Sequence, residues 1–191
     1  MKSIIFYLFS ILALTACSQK NEEVSTSKDT RGNSIFVLDS KWQNQDGKEL
    51  YLKDLKGKNL VMVMIFTSCQ TACPLLVADM KSIEAKIDKK VLKETNFVLI
   101  SIDPENDTPE VLKKYARKEN LDRAPYTLLR GDLESTRELA NVLAIKYKQI
   151  TPIVFSHSNI ITVFDKNGEM AGQEEGTVKS AAIAEMVNAL K

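Results

Sequence analysis

The sequence predicts an α/β fold in which a central, mostly parallel sheet is flanked by helices, with a hairpin in front of it. Three observations carry that reading. Two apolar runs, Leu60 to Phe66 and Phe97 to Ile102, are the length of strands and do not alternate, as expected of strands covered on both faces. Each run is followed by a stretch whose apolar residues recur at helical spacing. Turn signals separate the segments so that strands and helices alternate, the order that produces parallel pairing through helical crossovers.

Taken in order, Trp42 to Asp54 carries Asp46-Gly47 between partly alternating segments and predicts the hairpin. Leu60 to Phe66 is the first buried strand. Pro74 to Ile87 places Leu76, Met80, Ile83 and Ile87 on one helical face. After the second buried strand, Asp103-Pro104-Glu105-Asn106-Asp107 reads as a polar turn. Thr108-Pro109-Glu110 then opens a helix with cap, first-turn proline and acid in sequence. A short strand is expected over Tyr126 to Leu129, and a helix over Leu133 to Ile145 with Asp132 as its cap. Asn159 to Phe164 predicts a strand that Asp165-Lys166-Asn167-Gly168 turns into a partner around Glu169 to Ala171. Thr177 to Leu190 closes the chain as an amphipathic helix. The element order is that of a thioredoxin-like fold with an N-terminal hairpin extension and an inserted strand.

Ahead of this domain the chain changes character twice. Residues 1–16 hold one Lys and an almost unbroken apolar run, too short to span a bilayer comfortably and ending in Leu14-Thr15-Ala16 before Cys17. They read as a signal peptide, and the Leu-Thr-Ala-Cys ending resembles the lipobox of bacterial lipoproteins, which predicts lipidation at Cys17. Residues 17–34 are polar and nearly free of apolar side chains, as expected of a tether. Residues 35–191 form one domain of about 157 residues. The expected location is extracytoplasmic and membrane-anchored through lipid, at a bacterial periplasmic face or cell surface. Loss of residues 1–16 turns the formal net charge of +1 into zero, and no basic tract or Arg-aromatic pattern suggests nucleic acid.

The chain has three cysteines. With Cys17 assigned to lipid, Cys69 and Cys73 remain, both outside the cytosol. A domain of this size buries a core without staples, and a bridge closing so short a loop would restrict the unfolded chain only modestly. A purely structural disulfide is therefore the weaker reading. The pair stands where the first buried strand hands over to its helix, at the strand end where α/β sheets gather ligands. Residues four apart on a helix share a face, and helix-start N–H groups favour thiolate over thiol.

The spacing is Cys-x-x-x-Cys, one residue wider than a thioredoxin redox pair. It permits a disulfide and also opens the sulfurs enough to embrace a metal ion. Two soft thiolates select Cu(I), whereas Zn(II) usually takes four ligands. The single histidine, His157, falls just before the strand of the final hairpin, on the loop that faces the cysteines in this kind of fold. A lone histidine is often only a polar loop residue. Here its place in the fold agrees with the cysteine motif and predicts an S,S,N site for Cu(I), with Cu(II) left open.

Taken together, Thr67-Ser68-Cys69-Gln70-Thr71-Ala72-Cys73-Pro74, the segment from Ser101 to Pro109, and Ser156-His157-Ser158 resemble the SCO/SenC family of copper proteins from about Ile35 to the C-terminus. The resemblance implies a membrane-tethered, thioredoxin-like protein that binds copper through Cys69, Cys73 and His157. It implies as partner the copper-bearing subunit of cytochrome c oxidase, whose dinuclear centre is supplied with copper or kept reduced. Two positions depart from the family's habit without removing a ligand. Gln70 stands where proline often follows the first cysteine, and Tyr126 where tryptophan is common.

Other side chains have plainer roles open to them. The resemblance links the Asp-x-x-x-Asp segment to the metal's surroundings or to partner docking. Asp103 is held open between that role and a strand-ending turn, while Asp107 is expected to help cap the next helix. Met62, Met64 and Met80 suit core packing better than a thioether site. Two rival functions remain. A thiol–disulfide oxidoreductase would use Cys69 and Cys73 without metal and without need of His157. A peroxidase of the peroxiredoxin type would want threonine three residues before its cysteine, where Phe66 and Gln70 stand. The preferred reading is a binding protein without turnover of its own.

Overall fold

A computed structural model describes residues 34–151 and 154–190. The expected signal segment, its lipidated Cys17 and all of the tether before Ser34 lie outside the described residues. The chain enters the fold at a short 3-10 turn, Ile35–Val37, capped by Ser34. The hairpin follows as β1 (Lys41–Asn44) and β2 (Glu49–Tyr51), with Gly47 at a φ of 78° in the turn. Then come β3 (Asn59–Ile65), α1 (Ala72–Lys86), a one-turn α2 (Lys89–Leu92) and β4 (Thr95–Ser101). The second half runs α3 (Pro109–Lys118), β5 (Tyr126–Arg130), α4 (Leu133–Val142), β6 (Tyr147–Thr151), β7 (Val154–His157), β8 (Ile160–Phe164), β9 (Met170–Glu175) and α5 (Ser180–Asn188).

Seven strands form one sheet in the order β2-β1-β5-β4-β3-β8-β9. The parallel part is its centre, β5–β4–β3, with Val61 opposite Phe97 and Phe97 opposite Tyr126. On one side the N-terminal hairpin joins antiparallel through β1 and β5; on the other, β8 runs antiparallel to β3 with Val63 opposite Ile161. Parallel pairing is thus confined to strands joined by helical crossovers, because only those connections return the chain to its starting end. Helices cover both faces, and every residue of β3 and β8 is buried. Met62, Met64 and Met80 are among the fully buried side chains, as expected of core residues.

Local chemistry explains the boundaries. The Thr108 hydroxyl accepts from the Val111 N–H at 3.4 Å and Asp132 from the Ser135 N–H at 2.7 Å, so α3 and α4 start where their caps stand. The first of these corrects the cap expected of Asp107, whose carboxylate is used elsewhere. Helix α4 stops at Val142 rather than Ile145, and Ala144 turns left-handed at a φ of 54°. Helix α1 begins at Ala72, two residues ahead of expectation, which draws Cys73 into its first turn.

The largest departure is at 147–157. The loop expected to carry His157 is instead part of a two-stranded antiparallel ribbon, β6–β7, apart from the main sheet, with Tyr147 opposite His157. Among the described residues no helix is long and apolar enough to cross a membrane.

Candidate metal centre

The topology brings three segments to one rim. β3 and β4 are parallel, so the segments after them, bearing Cys69 and Asp103, leave at the same end. β8 is antiparallel to β3, so its beginning lies there too, and His157 directly precedes it. Three remote segments therefore reach one rim through strand direction alone, and the cysteine and His157 segments share a cleft there.

Cys69 and Cys73 are both free thiols, Cys69 half-buried and Cys73 fully buried. The Cys69 N–H is held by the Phe66 carbonyl at 3.2 Å, and the Cys73 N–H donates to the Cys69 sulfur at 3.3 Å. Burial works to raise the Cys69 pKa, but the backbone N–H and thiol of Cys73, with the N–H groups of Thr71 and Ala72, outweigh it. The net result is a thiol held below its ordinary value. Cys73 goes the other way. Burial pushes it well up, the neighbouring Cys69 and Asp107 push further, and a backbone hydrogen bond at Phe66 offsets only part.

His157 Nε2 lies 3.8 Å from the Cys73 sulfur. Its Nδ1 is 3.0 Å from the Ser158 carbonyl oxygen. A carbonyl only accepts, so Nδ1 carries the proton and the Nε2 lone pair faces the sulfur. Burial lowers the imidazole pKa, opposed in part by that carbonyl, and keeps the ring neutral as a ligand must be. An ion bonded at about 2.3 Å to sulfur and about 2.0–2.1 Å to imidazole, at a trigonal angle, spans about 3.8 Å between the two donors. The Cys73–His157 gap of 3.8 Å fits that span. Cys69 completes the triangle less fully, because its sulfur is turned toward the start of α1. Among the described residues no three His, Cys, Asp or Glu side chains stand as a closed metal-holding group. The cleft beside Cys69 and His157 has a volume of about 530 Å³ and is lined by Phe66, Cys69, Thr71, Phe155 and His157, with Cys73 buried beneath it.

Asp103 is elsewhere. Its side chain is buried and takes both hydrogen bonds from Asn106 Nδ2, at 2.9 and 3.0 Å, while its N–H donates to Ser101. It lines a neighbouring cleft with Tyr147 and Phe155 rather than the one over the cysteines.

Sequence reasoning missed two supports of the site. Asp107 accepts from the Thr67 N–H at 3.2 Å and from the hydroxyls of Thr67 and Ser101, so it ties the approach to Cys69 onto the end of β4. Phe66 meets Phe155 at a ring-centroid distance of 5.3 Å and His157 edge-on at 5.9 Å. The signal for the second was present: aromatics stand three residues before Cys69 and two before His157.

The SCO1/SenC family pattern matches residues 25–191. A protein of Bacillus subtilis named SCO1 protein homolog is 37% identical over 97 residues, 51% of this chain and 50% of that protein. The match thus spans half of that relative's length. A putative copper-binding protein of Stutzerimonas stutzeri is 25% identical over 140 residues, 71% of this chain and 67% of its own. Among solved structures, a SCO1/SenC family lipoprotein from Bacillus anthracis superposes with a TM-score of 0.71 at 29% identity, covering 78% of this chain and 91% of that one. BsSco, described as a member of the Sco family of cytochrome c oxidase assembly proteins with a disulfide switch, gives 0.65 at 28%, covering 78% and 89%. Copper-bound ScoI of Arabidopsis thaliana gives 0.68 at 20%, covering 78% and 93%, and supports the thioredoxin-like fold.

Proposed function

The chain belongs to the SCO1/SenC family, and on that premise we propose that it is an extracytoplasmic copper-binding protein of cytochrome c oxidase assembly. Cys69, Cys73 and His157 hold the ion, and the chain delivers it to the copper-bearing oxidase subunit while anchored through lipid on Cys17. The observation that carries this reading is the 3.8 Å approach of the neutral His157 Nε2 to the Cys73 sulfur. Copper is cargo here. Cys69 is the donor open to the cleft and readiest to ionise. Cys73 is the buried donor whose proton must leave as the ion arrives, and the Ser158 carbonyl keeps the imidazole lone pair turned inward.

Copper delivery is preferred over zinc or oxidant chemistry on the donor set. Two thiolates and one imidazole suit the soft, low-coordinate Cu(I) and fall short of the usual four ligands of Zn(II). The test is Cu(I) titration of the reduced protein with X-ray absorption on the bound metal. One equivalent, with a sulfur-rich shell and one imidazole, is expected, and His157→Ala should weaken binding at least about tenfold, the lower range for removing a ligand or its support. Unchanged affinity in that variant would refute the three-ligand site.

One observation favours a second reading, reduction of a partner's disulfide. The more acidic thiol, Cys69, is the less buried of the two, as an attacking thiol should be. Its thiolate would attack one sulfur of the partner and displace the other as thiolate. The Cys73 thiolate would then attack the Cys69 sulfur, leaving the partner a dithiol and this chain with a Cys69–Cys73 disulfide. Metal-free reduction of an oxidised copper-centre peptide, undiminished in His157→Ala, would favour this role, which is compatible with delivery because a thiolate copper centre needs both reduced cysteines and metal.

A further inference from the structure

The pole opposite the cysteines carries an unusual charge arrangement. β3, β4 and β5 begin there, and β8 ends there. The segments at these ends supply Lys56, Lys58, Lys89, Lys90, Lys93 and Lys166. Gly57 N–H donates to the Lys166 carbonyl at 3.0 Å, and Lys58 Nζ to the Lys93 carbonyl, so these segments adjoin one another. Lys56, Lys89, Lys90 and Lys93 are exposed, and none makes an ion pair among the described residues.

Several basic residues elsewhere are ion-paired, although Lys48, Lys114, Arg137, Lys146, Lys148 and Lys179 are exposed and make no ion pair among the described residues. Lys41 pairs with Glu49, Lys53 with Asp39, Lys113 with Asp46 and Asp122, and Arg123 with Glu84. Two carboxylates at the lysine pole are engaged, while Asp88 is exposed ahead of Lys89 and makes no side-chain cap hydrogen bond. Glu94 is held by Lys166, and Asp165 accepts from the N–H groups of Asn167 and Glu169. At the cysteine rim the charges are mixed: Glu105, Asp132, Glu134, Glu174 and Glu175 stand among Arg137, Lys146, Lys148 and Lys179 around the strand and loop ends.

A second, independent observation places the chain's entry at the same pole. Ile35 N–H donates to the Gly168 carbonyl at 2.8 Å, Ser34 bridges to Glu169, and the Ser34 hydroxyl donates to the Asn167 carbonyl. Gly168 is left-handed at a φ of +81°, and a Cβ there would lie 2.6 Å from the Ser34 oxygen, so glycine lets the entry strap seat against this turn. The segment leading to Cys17 therefore leaves from the lysine pole. Sixteen residues separate Cys17 from Ser34. They reach at most about 60 Å at 3.3–3.6 Å per residue, enough to let the domain turn either end to a membrane. A tether alone does not set orientation; a charged pole at its root does.

We propose that this lysine pole docks on an anionic phospholipid surface and holds the Cys69, Cys73 and His157 rim outward, away from the bilayer. The inference rests on the lipid-anchored reading for its geometry. Free lysines facing anionic headgroups are attracted within a Debye length, about 8–10 Å at physiological salt, whereas the mixed charges of the rim largely offset one another. The outward rim is then open to a copper-bearing domain standing above the membrane.

The test uses the processed full-length protein mixed with phosphatidylcholine vesicles, with and without phosphatidylglycerol. Flotation reads attachment, and amine acylation followed by mass spectrometry reads each lysine. In phosphatidylglycerol vesicles, labelling of Lys56, Lys89, Lys90 and Lys93 should slow severalfold relative to Lys148 and Lys179. The protection should vanish in pure phosphatidylcholine, in 1 M salt and in K89E/K90E/K93E. Equal labelling at both poles in the anionic vesicles would overturn the inference while leaving Cu(I) uptake and flotation untouched. Flotation with anionic vesicles alone would uphold the lysine surface and overturn the lipid anchor. Flotation with neither would overturn both.

Discussion

At the scale of residues, the site works by giving two chemically identical thiols different environments. Cys69 is half-exposed and surrounded by N–H donors at the start of α1, whereas Cys73 is buried one turn on, beside the imidazole. The same helix start therefore makes one thiol acidic and leaves the other a reluctant acid. Iodoacetamide should accordingly alkylate Cys69 at least about tenfold faster than Cys73 in the reduced, metal-free chain, since reaction follows thiolate population and access. Its rate should rise with pH through a midpoint below the ordinary thiol value. Peptide mapping reads the order directly, and earlier modification of Cys73 would contradict the assignment. Both cysteines and the histidine were legible in the sequence as donors. The inequality between them was not, because burial and hydrogen-bond direction depend on segments far away in the chain.

At the scale of elements, the unexpected feature is the β6–β7 ribbon. A two-stranded ribbon is marginal by itself. This one is braced by Phe155, which contacts Phe66 at 5.3 Å and Tyr147 at 6.4 Å, and by the Ser158 N–H to the Lys146 carbonyl at 2.9 Å. Because His157 ends β7, the order of the ribbon sets how often the imidazole is in place. Phe155→Ala should speed amide exchange across Tyr147–Thr151 and Val154–His157 while β3 and β4 stay protected. It should also weaken Cu(I) binding by about tenfold, which corresponds to about 1.4 kcal/mol, the scale of a lost aromatic pair. Unaltered exchange in the ribbon would show that Phe155 braces nothing. Caps and strands with strong local signals, such as Thr108-Pro109-Glu110, were readable from sequence. The ribbon was not, because its strands have no apolar alternation and are braced by contacts with distant residues, Phe66 just past β3 among them.

At the scale of the whole molecule, the metal rim stands on a core that takes no part in the chemistry. Met62 lies fully buried in the central strand, facing packed side chains rather than the cleft. Met62→Leu should cost less than about 1.5 kcal/mol, and Met62→Ala about 2–5 kcal/mol through the cavity it leaves. Thermal unfolding measures both. Cu(I) stoichiometry and affinity should be unchanged in Met62→Leu, and a loss there would reopen a thioether ligand. Sequence alone determined the α/β class, the central buried strands, the cysteine motif and the candidate histidine, because hydrophobic period, capping chemistry and donor type are local properties. Only the tertiary structure decided that the parallel pairing stops at three strands. It also decided that Asp107 braces the approach to Cys69, that Asp103 faces a different cleft, and that Cys73 rather than Cys69 meets the imidazole. Those outcomes depend on strand direction and burial, which arise when distant segments pack and are written in no single stretch of the chain.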